Sequence, residues 1–218
     1  MKISELFKKK IVLSYEVFPP KPTAPVKTIY DTLNELKKLS PDFISVTYGA
    51  GGGKNNNETF KIASAVKSLG IESAAHLPCI GLTKEDVSDK LQELKERGIE
   101  NILALRGDIP NEGYVQGDFE YASDLISYIR SQGDFNIIAA CYPEGHIEAK
   151  DIIEDIQNLK IKVGHGAAVH HKNIRRLVLL RNGKAVGAEH LFQRAGLVQV
   201  DLAAQGIKTN SHGERSFR

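Results

Sequence analysis

Short apolar runs alternate with stretches of helical periodicity over the first 160 residues of the chain. Each apolar run is bounded by Gly, Pro or polar residues, a pattern typical of strands buried on both faces. The predicted strands cover residues 11–17, 43–48, 71–77, 102–105 and 136–141. The predicted helices cover residues 25–39, 57–69, 83–97, 119–132 and 148–163. This alternation of strand and helix, repeated about every 30 residues, is the βαβ rhythm of a parallel sheet.

Polar residues that could bind a ligand or take part in catalysis lie at or just beyond the carboxyl end of each predicted strand. They are Glu16, Thr47, Tyr48, His76, Arg106, Asp108 and Tyr142. Five successive strands with this arrangement favour a TIM-type (β/α)8 barrel with its site at one rim. A doubly wound sheet is the alternative. It requires a glycine-rich phosphate turn, and the glycine run at 49–53 departs from G-x-G-x-x-G at Lys54.

The chain is too short for a complete barrel of this kind. Five βα units use about 160 residues, whereas a full barrel takes about 250. Residues 162–218 carry ten Lys/Arg and three Asp/Glu, a net charge of +7, so residues 1–161 carry −5 of the total of +2. We therefore predict a barrel that is incomplete after the fifth βα unit, formed by residues 1–163, followed by a divergent, poorly ordered tail at 164–218.

Composition narrows the class of protein. The chain has 41% hydrophobic and 26% charged residues, typical of a soluble globular protein, and no apolar run of the roughly 18 residues that a membrane helix needs. The amino-terminal residues lack the features of a secretory signal, and the two cysteines, outside any metal-ligand spacing, favour a reducing, cytoplasmic location. The basic tail could bind nucleic acid, but its charges are scattered and only Phe192 and Phe217 could stack on bases.

Several of the polar residues allow both a chemical and a structural interpretation. Glu16, at the end of a buried strand, would have a raised pKa and could act as a general acid, or it could pair with Lys21 or Lys54. His76 could contact a ligand or be a hydrogen-bonded residue at the edge of the core. The segment at 106–108 could bind a ligand or be a polar turn.

The predicted helix at 148–163 presents a further polar set. Asp155, Asn158 and Lys162 share one helical face, which could serve a site or simply face solvent.

Six short segments together resemble the methylenetetrahydrofolate reductase family over about residues 5–163, in the order and spacing of that family. The segments are Ser14-Tyr15-Glu16-Val17-Phe18-Pro19-Pro20, Ser45-Val46-Thr47-Tyr48-Gly49-Ala50-Gly51-Gly52, His76-Leu77-Pro78-Cys79, Leu105-Arg106-Gly107-Asp108, Tyr121-Ala122-Ser123-Asp124-Leu125 and Tyr142-Pro143-Glu144-Gly145-His146-Ile147-Glu148-Ala149.

The resemblance implies an activity and a set of ligands. It implies a (β/α)8 barrel with FAD at its carboxyl rim. Hydride would pass from NADH or NADPH to the flavin, and then to 5,10-methylenetetrahydrofolate, in a ping-pong scheme that yields 5-methyltetrahydrofolate. It further implies a homo-oligomer when the barrel is complete, with neither nucleic acid nor a membrane as partner.

The resemblance also implies roles for individual residues. Glu16 matches the general acid that helps to open the imidazolidine ring, and Asp108 matches an aspartate near the flavin and the folate pterin. Positions matching flavin contacts are Thr47, Tyr48, Ala50, His76, Arg106, Gly107, Asp108, Ala122, Tyr142, His146, Ala149, Asp155, Asn158 and Lys162. Ile161 stands where the family often has a basic flavin contact.

The family pattern breaks near Gly164. The family continues with Val-Asp-Ala-Gly-Ala, whereas this chain has Val163-Gly164-His165-Gly166-Ala167, and Asn173 stands near the position of a substrate-binding glutamine. We hypothesise a shifted reading frame at Gly164; a gene without a family-like continuation in another frame across codons 160–220 would refute it. The alternative to an active reductase is therefore a truncated, inactive chain that lacks the folate-binding half.

Overall fold

The computed structural model describes residues 1–10, 12–20, 25, 27–48, 58–109, 115–141, 146 and 148–168 with their side chains. It describes the backbone alone at residues 57, 169–171, 180–181, 184–185 and 197–201. Ala50 and Tyr142, both predicted to contact flavin, and Lys21 and Lys54, the alternative partners of Glu16, lie outside the described residues.

A parallel sheet in chain order forms the centre of the molecule, as the sequence predicted. Its first five strands are β1 (Val12–Val17), β2 (Phe43–Val46), β3 (Glu72–Pro78), β4 (Asn101–Leu105) and β5 (Asn136–Cys141). Each pairs in parallel with the next. The predicted second strand is two residues too long, since Thr47 and Tyr48 follow β2.

A helix connects or follows each of these strands. The helices are α1 (Ile3–Phe7), α2 (Lys27–Lys37), α3 (Asn57–Ser68), α4 (Lys84–Glu96), α5 (Ala122–Gln132) and α6 (Ile152–Gly164). The prediction of a helix from residue 148 was wrong by four residues. Helix α6 begins only after Asp151, whose side chain accepts hydrogen bonds from the amides of Ile153 and Glu154, both at 2.9 Å.

Two more strands border the five-strand sheet. β6 (Ala168–His171) pairs in parallel with β5, and β9 (Leu197–Asp201) pairs in parallel with β1. Between them in the chain, β7 (Leu180–Arg181) and β8 (Lys184–Ala185) form a separate antiparallel pair. Cα atoms of β6 and β9 come within 8 Å of each other, so the sheet curls toward closure. The fold is an incomplete TIM-type barrel, as predicted, with strands at both borders that the sequence did not reveal.

Helices α2 to α5 pack on the outside of the curled sheet through apolar residues, whereas α6 has no buried residue. In α4, Val87, Leu91 and Leu94 are buried at i, i+4 and i+7 spacing. A capping box between Thr83 and Asp86 fixes the start of this helix. The buried apolar residues of α4 are therefore those that its helical periodicity indicates.

Helix α1 closes the amino-terminal end of the sheet. Ile3 and Leu6 pack into an inner core with Val12, Phe43, Ala74, Leu103 and Ile138. Asn101, at the start of β4, accepts a hydrogen bond from the amide of Ile3 at 2.9 Å and donates to the carbonyls of Met1 and Ser73. Because this end is sealed by apolar packing, the polar residues at the opposite end of the strands are left to form a site.

Candidate active site

Glu16 and His76 form a buried pair at the carboxyl half of the sheet. They lie on β1 and β3, on either side of β2, and the alternation of a strand turns both toward the inner face. Glu16 Oε2 lies 3.3 Å from His76 Nε2, and the two side chains are 6% and 2% exposed. The structure thus brings together two predicted site residues that are 60 positions apart in the sequence.

Thr47 follows β2, between the strands that carry this pair. Its amide donates to the carbonyl of Val17 at 2.9 Å, and its carbonyl accepts from the hydroxyl of Thr59 at 3.0 Å. The backbone is therefore held from both sides. The hydroxyl Oγ1 of Thr47 is buried and has no hydrogen-bond partner among the described residues. A buried hydroxyl in this state is costly, and a ligand that bonds to it would recover that cost.

Tyr48 is half-buried and lies beside α4. The Nζ atom of Lys90 lies 5.7 Å from the centroid of its ring, within range of a cation–π contact. The ring is thereby held at the rim of the sheet.

The Arg106–Asp108 segment leaves β4 through a tight backbone turn. Gly107 has a φ of +86°, and a Cβ at this position would lie 3.0 Å from Pro78 Cβ and 3.1 Å from Ile80 Cγ2. The amides of Cys79 and Ile80 donate to the carbonyl of Arg106 at 3.1 and 2.8 Å, which joins this turn to the end of β3. Gly107 is therefore required both by its conformation and by the close approach of the neighbouring turn.

Two charged residues flank Gly107: Arg106 is half-buried and Asp108 is exposed. Both terminal nitrogens of the Arg106 guanidinium lie 2.7 Å from carboxylate oxygens of Glu148. This contact raises the pKa of Arg106 and lowers that of Glu148. Below the turn, burial raises the pKa of the Cys79 thiol to about 12, so Cys79 stays neutral beside the site.

The segment before α6 is held by local hydrogen bonds. The amide of His146 donates to Asp155 Oδ2 at 3.1 Å, and the amide of Ala149 donates to the carbonyl of His146 at 3.0 Å. Asp155 and Lys162 are half-buried on one face of the helix, whereas Asn158 is exposed. Desolvation lowers the pKa of Lys162, and the charge of Asp155 opposes this shift.

The predicted residues therefore divide into groups by position. Glu16, Thr47 and His76 are buried together, Arg106 and Gly107 shape the turn after β4, and Ala122 is buried at the start of α5. Asp108 and Asn158 are exposed at the rim. Sequence reasoning assigned no role to Glu148. A carboxylate just before a helix gives no sign of a distant arginine partner.

Comparisons with known proteins identify the relatives of this chain. The family model described as methylenetetrahydrofolate reductase matches residues 2–172. The 5,10-methylenetetrahydrofolate reductases of Pectobacterium carotovorum subsp. carotovorum and Escherichia coli (strain K12) are 41% and 40% identical to this chain over 158 and 159 residues. Each alignment covers 72% of this chain and 52% or 53% of the relative, so the chain spans about half the length of these curated relatives.

Solved structures of distant proteins share the fold. Phosphoenolpyruvate phosphomutase from Streptomyces platensis subsp. rosaceus superposes with a TM-score of 0.55 at 14% identity, over 78% of this chain and 62% of its own. The carboxyl transferase domain of Rhizobium etli pyruvate carboxylase gives 0.51 at 11% identity, over 73% and 26%. These likenesses concern the fold alone. Since the family model matches residues 2–172, which is more than half of the sequence, the chain belongs to the methylenetetrahydrofolate reductase family.

Proposed function

We propose that this chain reduces 5,10-methylenetetrahydrofolate to 5-methyltetrahydrofolate, with FAD as cofactor, NADH or NADPH as hydride donor, and a ping-pong order of substrates. The observation that carries the proposal is the buried Glu16–His76 pair at the carboxyl ends of β1 and β3. A carboxyl group in this position suits proton transfer to a substrate nitrogen, which reduction of this folate requires.

The residues at the rim fit a flavin. Thr47 offers a buried hydroxyl without a partner among the described residues, and Arg106 has N–H donors beyond those that contact Glu148 and Gly107. FAD, when bound, would accept hydride from the nicotinamide and pass it to the folate. The residues that would hold it are Thr47, Tyr48, His76, Arg106, Gly107, Asp108, Ala122, His146, Ala149, Asp155, Asn158 and Lys162, with Ala50 and Tyr142 added from the sequence.

Glu16 would act as the general acid. Its protonated carboxyl would donate to a nitrogen of the imidazolidine ring, so that the carbon–nitrogen bond breaks and the reactive iminium forms. His76 Nε2 lies 3.3 Å from this carboxyl group and has no hydrogen-bond partner among the described residues. Burial of both side chains keeps water away from the proton, and this favours transfer to substrate over exchange with solvent.

Asp108 would assist from the rim. Its carboxylate is exposed on the turn after β4, next to Gly107. There it could hold the folate pterin and influence the flavin through its negative charge.

A pair of half-reactions tests the proposal. The purified chain should show the visible spectrum of oxidised flavin, should bleach with NADH or NADPH without oxygen, and should regain colour with 5,10-methylenetetrahydrofolate. In Glu16→Gln, bleaching should persist because it needs no ring opening, whereas recovery of colour should slow by roughly a hundredfold or more. A variant that loses both half-reactions equally would contradict the role assigned to Glu16.

The alternative is an inactive fragment that lacks the folate-binding half. The match to the family model ends at residue 172 although the chain continues to residue 218, and this supports the alternative. A colourless preparation, or one that bleaches but forms no methyl-folate, would support this alternative. Location in the cytoplasm and assembly into a homo-oligomer also remain predictions. Among the helices that the structure describes, none has the length and apolar character to cross a membrane.

A further inference from the structure

A bidentate ion pair connects two distant segments at the rim. Arg106 Nη1 and Nη2 each lie 2.7 Å from a carboxylate oxygen of Glu148, 42 positions later in the chain. Arg106 Nε also donates to the carbonyl of Gly107 at 3.3 Å. Two parallel contacts fix the plane of the guanidinium as well as its position, which a single contact cannot do.

Glu148 also belongs to a chain of hydrogen bonds that reaches α6. Its amide donates to His146 Nδ1 at 3.2 Å, and the amide of His146 donates to Asp155 Oδ2. Asp155 in turn acts electrostatically on Lys162. The side chain and backbone of Glu148 therefore join the turn after β4 to the segment that leads into α6.

We propose that Glu148 is a positioning residue that holds Arg106 and His146 in one arrangement for an anionic ligand; the flavin part of this proposal rests on the proposed function. Of the five N–H donors of a guanidinium, contacts among the described residues use three. The remaining two are oriented by those contacts and can donate to a ligand. Loss of the Glu148 carboxylate would release the guanidinium into many rotamers, and each binding event would then have to order it again.

Glu148→Gln is the main test, and Glu93→Gln is its matched control. Glu93 accepts from Arg97, the residue that follows α4, at 2.8 Å; the two arginines are similarly exposed, at 31% and 28%, whereas Glu93 is 29% and Glu148 55% exposed. The first measurement is hydrogen–deuterium exchange of the full chain without flavin. Glu148→Gln should accelerate exchange at 106–109 and 146–151 while leaving α4 unchanged, and Glu93→Gln should leave both rim segments as in the wild type.

The second measurement is affinity for FAD, followed by fluorescence quenching. Glu148→Gln should weaken binding roughly tenfold, the equivalent of about one charge-assisted hydrogen bond. Glu148→Asp keeps the charge and should recover part of this loss. The melting temperature should stay close to the wild-type value in all three variants, because an exposed ion pair contributes little to global stability.

The outcomes separate the two proposals. Unchanged exchange at the rim in Glu148→Gln overturns the positioning role, whatever the flavin result. Faster exchange together with weaker FAD binding supports it. Faster exchange in a chain whose wild type binds no FAD supports positioning and refutes the proposed function. Equal loss of affinity in Glu148→Asp and Glu148→Gln overturns the role of the carboxylate charge.

Discussion

Gly107 shows how one residue shapes the turn after β4. Its φ of +86° disfavours any side chain, and the space that a Cβ would enter is taken by Pro78 and Ile80. We expect Gly107→Ala to lower the free energy of unfolding by about 2–3 kcal/mol, from backbone strain plus the displaced contacts. Urea unfolding of the variant and the wild type measures this difference.

Gly70 provides the matched control. It has a similar φ of +82°, but nothing lies within 4 Å of the position that a Cβ would take. Gly70→Ala should therefore cost only the strain, about 1 kcal/mol. Equal losses in the two variants would show that the contacts with Pro78 and Ile80 can relax and that conformation alone explains Gly107.

The Arg106–Glu148 pair predicts a dependence on pH at the residue scale. The pKa of Glu148 is lowered by Arg106, so its contribution is present above the usual value of 4.5 and disappears as the pH falls through the lowered value. The pKa of Arg106 is raised, so Arg106 stays charged throughout. The ratio of rim exchange rates between Glu148→Gln and wild type should be constant from about pH 8 to 5.5 and approach one in acid. A ratio that persists at low pH would exclude charge as its cause.

At the scale of elements, Asn101 links α1 to the sheet. It is buried, it bonds to Met1 and Ile3 on one side and to Ser73 on the other, and it accepts from the Asn136 side chain at 2.8 Å. Asn101→Ala would leave several of these buried groups unpaired. We expect it to lower the free energy of unfolding by about 2–3 kcal/mol and to loosen α1.

Asn34 serves as the control for this prediction. Its side chain donates to the carbonyl of Tyr30 at 3.0 Å on the exposed face of α2. Asn34→Ala should change stability by less than about 0.5 kcal/mol. Chemical denaturation with a probe in α1 would distinguish local loosening from global loss. A loss in Asn101→Ala no larger than in Asn34→Ala would contradict the linking role.

The elements also show what the sequence could and could not predict. Five strands were predictable from short apolar runs bounded by Gly, Pro or polar residues, and five helices from the regular spacing of their apolar residues. Helix α1 has only five residues and no side-chain cap, and two of the four residues of β6 are histidines, so neither carries a recognisable signal. The common rim of Glu16 and His76 was predictable from strand polarity, but their 3.3 Å contact depends on the curl of the sheet. The Arg106–Glu148 pair likewise depends on tertiary structure alone.

At the scale of the whole molecule, α6 presents an apolar surface in the described part of the chain. Five of its residues are 46–64% exposed: Ile152, Ile153, Ile156, Ile161 and Val163. An apolar surface of this kind promotes association. We expect Ile153→Lys combined with Ile156→Lys to reduce self-association by roughly half or more, as measured by sedimentation velocity.

Leu39→Lys is the control for the surface of α6. Leu39 is 44% exposed beyond the end of α2, away from the apolar residues of α6. It should leave the sedimentation profile unchanged. An equal effect of both substitutions would indicate that added charge, rather than the surface of α6, governs association.

The packing of α1 against one end of the sheet affects how ligands can approach the Glu16–His76 pair. In the described residues, Ile3 and Leu6 close one end of the curled sheet. Glu16 and His76 lie on its inner face, toward the opposite end. Among the described residues, the apolar packing of α1 occupies one end of the curled sheet, which leaves the opposite end for the approach of a ligand to this pair. Two ligands that both approach from that end and contact this pair would exclude each other, so under the proposed function the first would have to depart before the second could arrive.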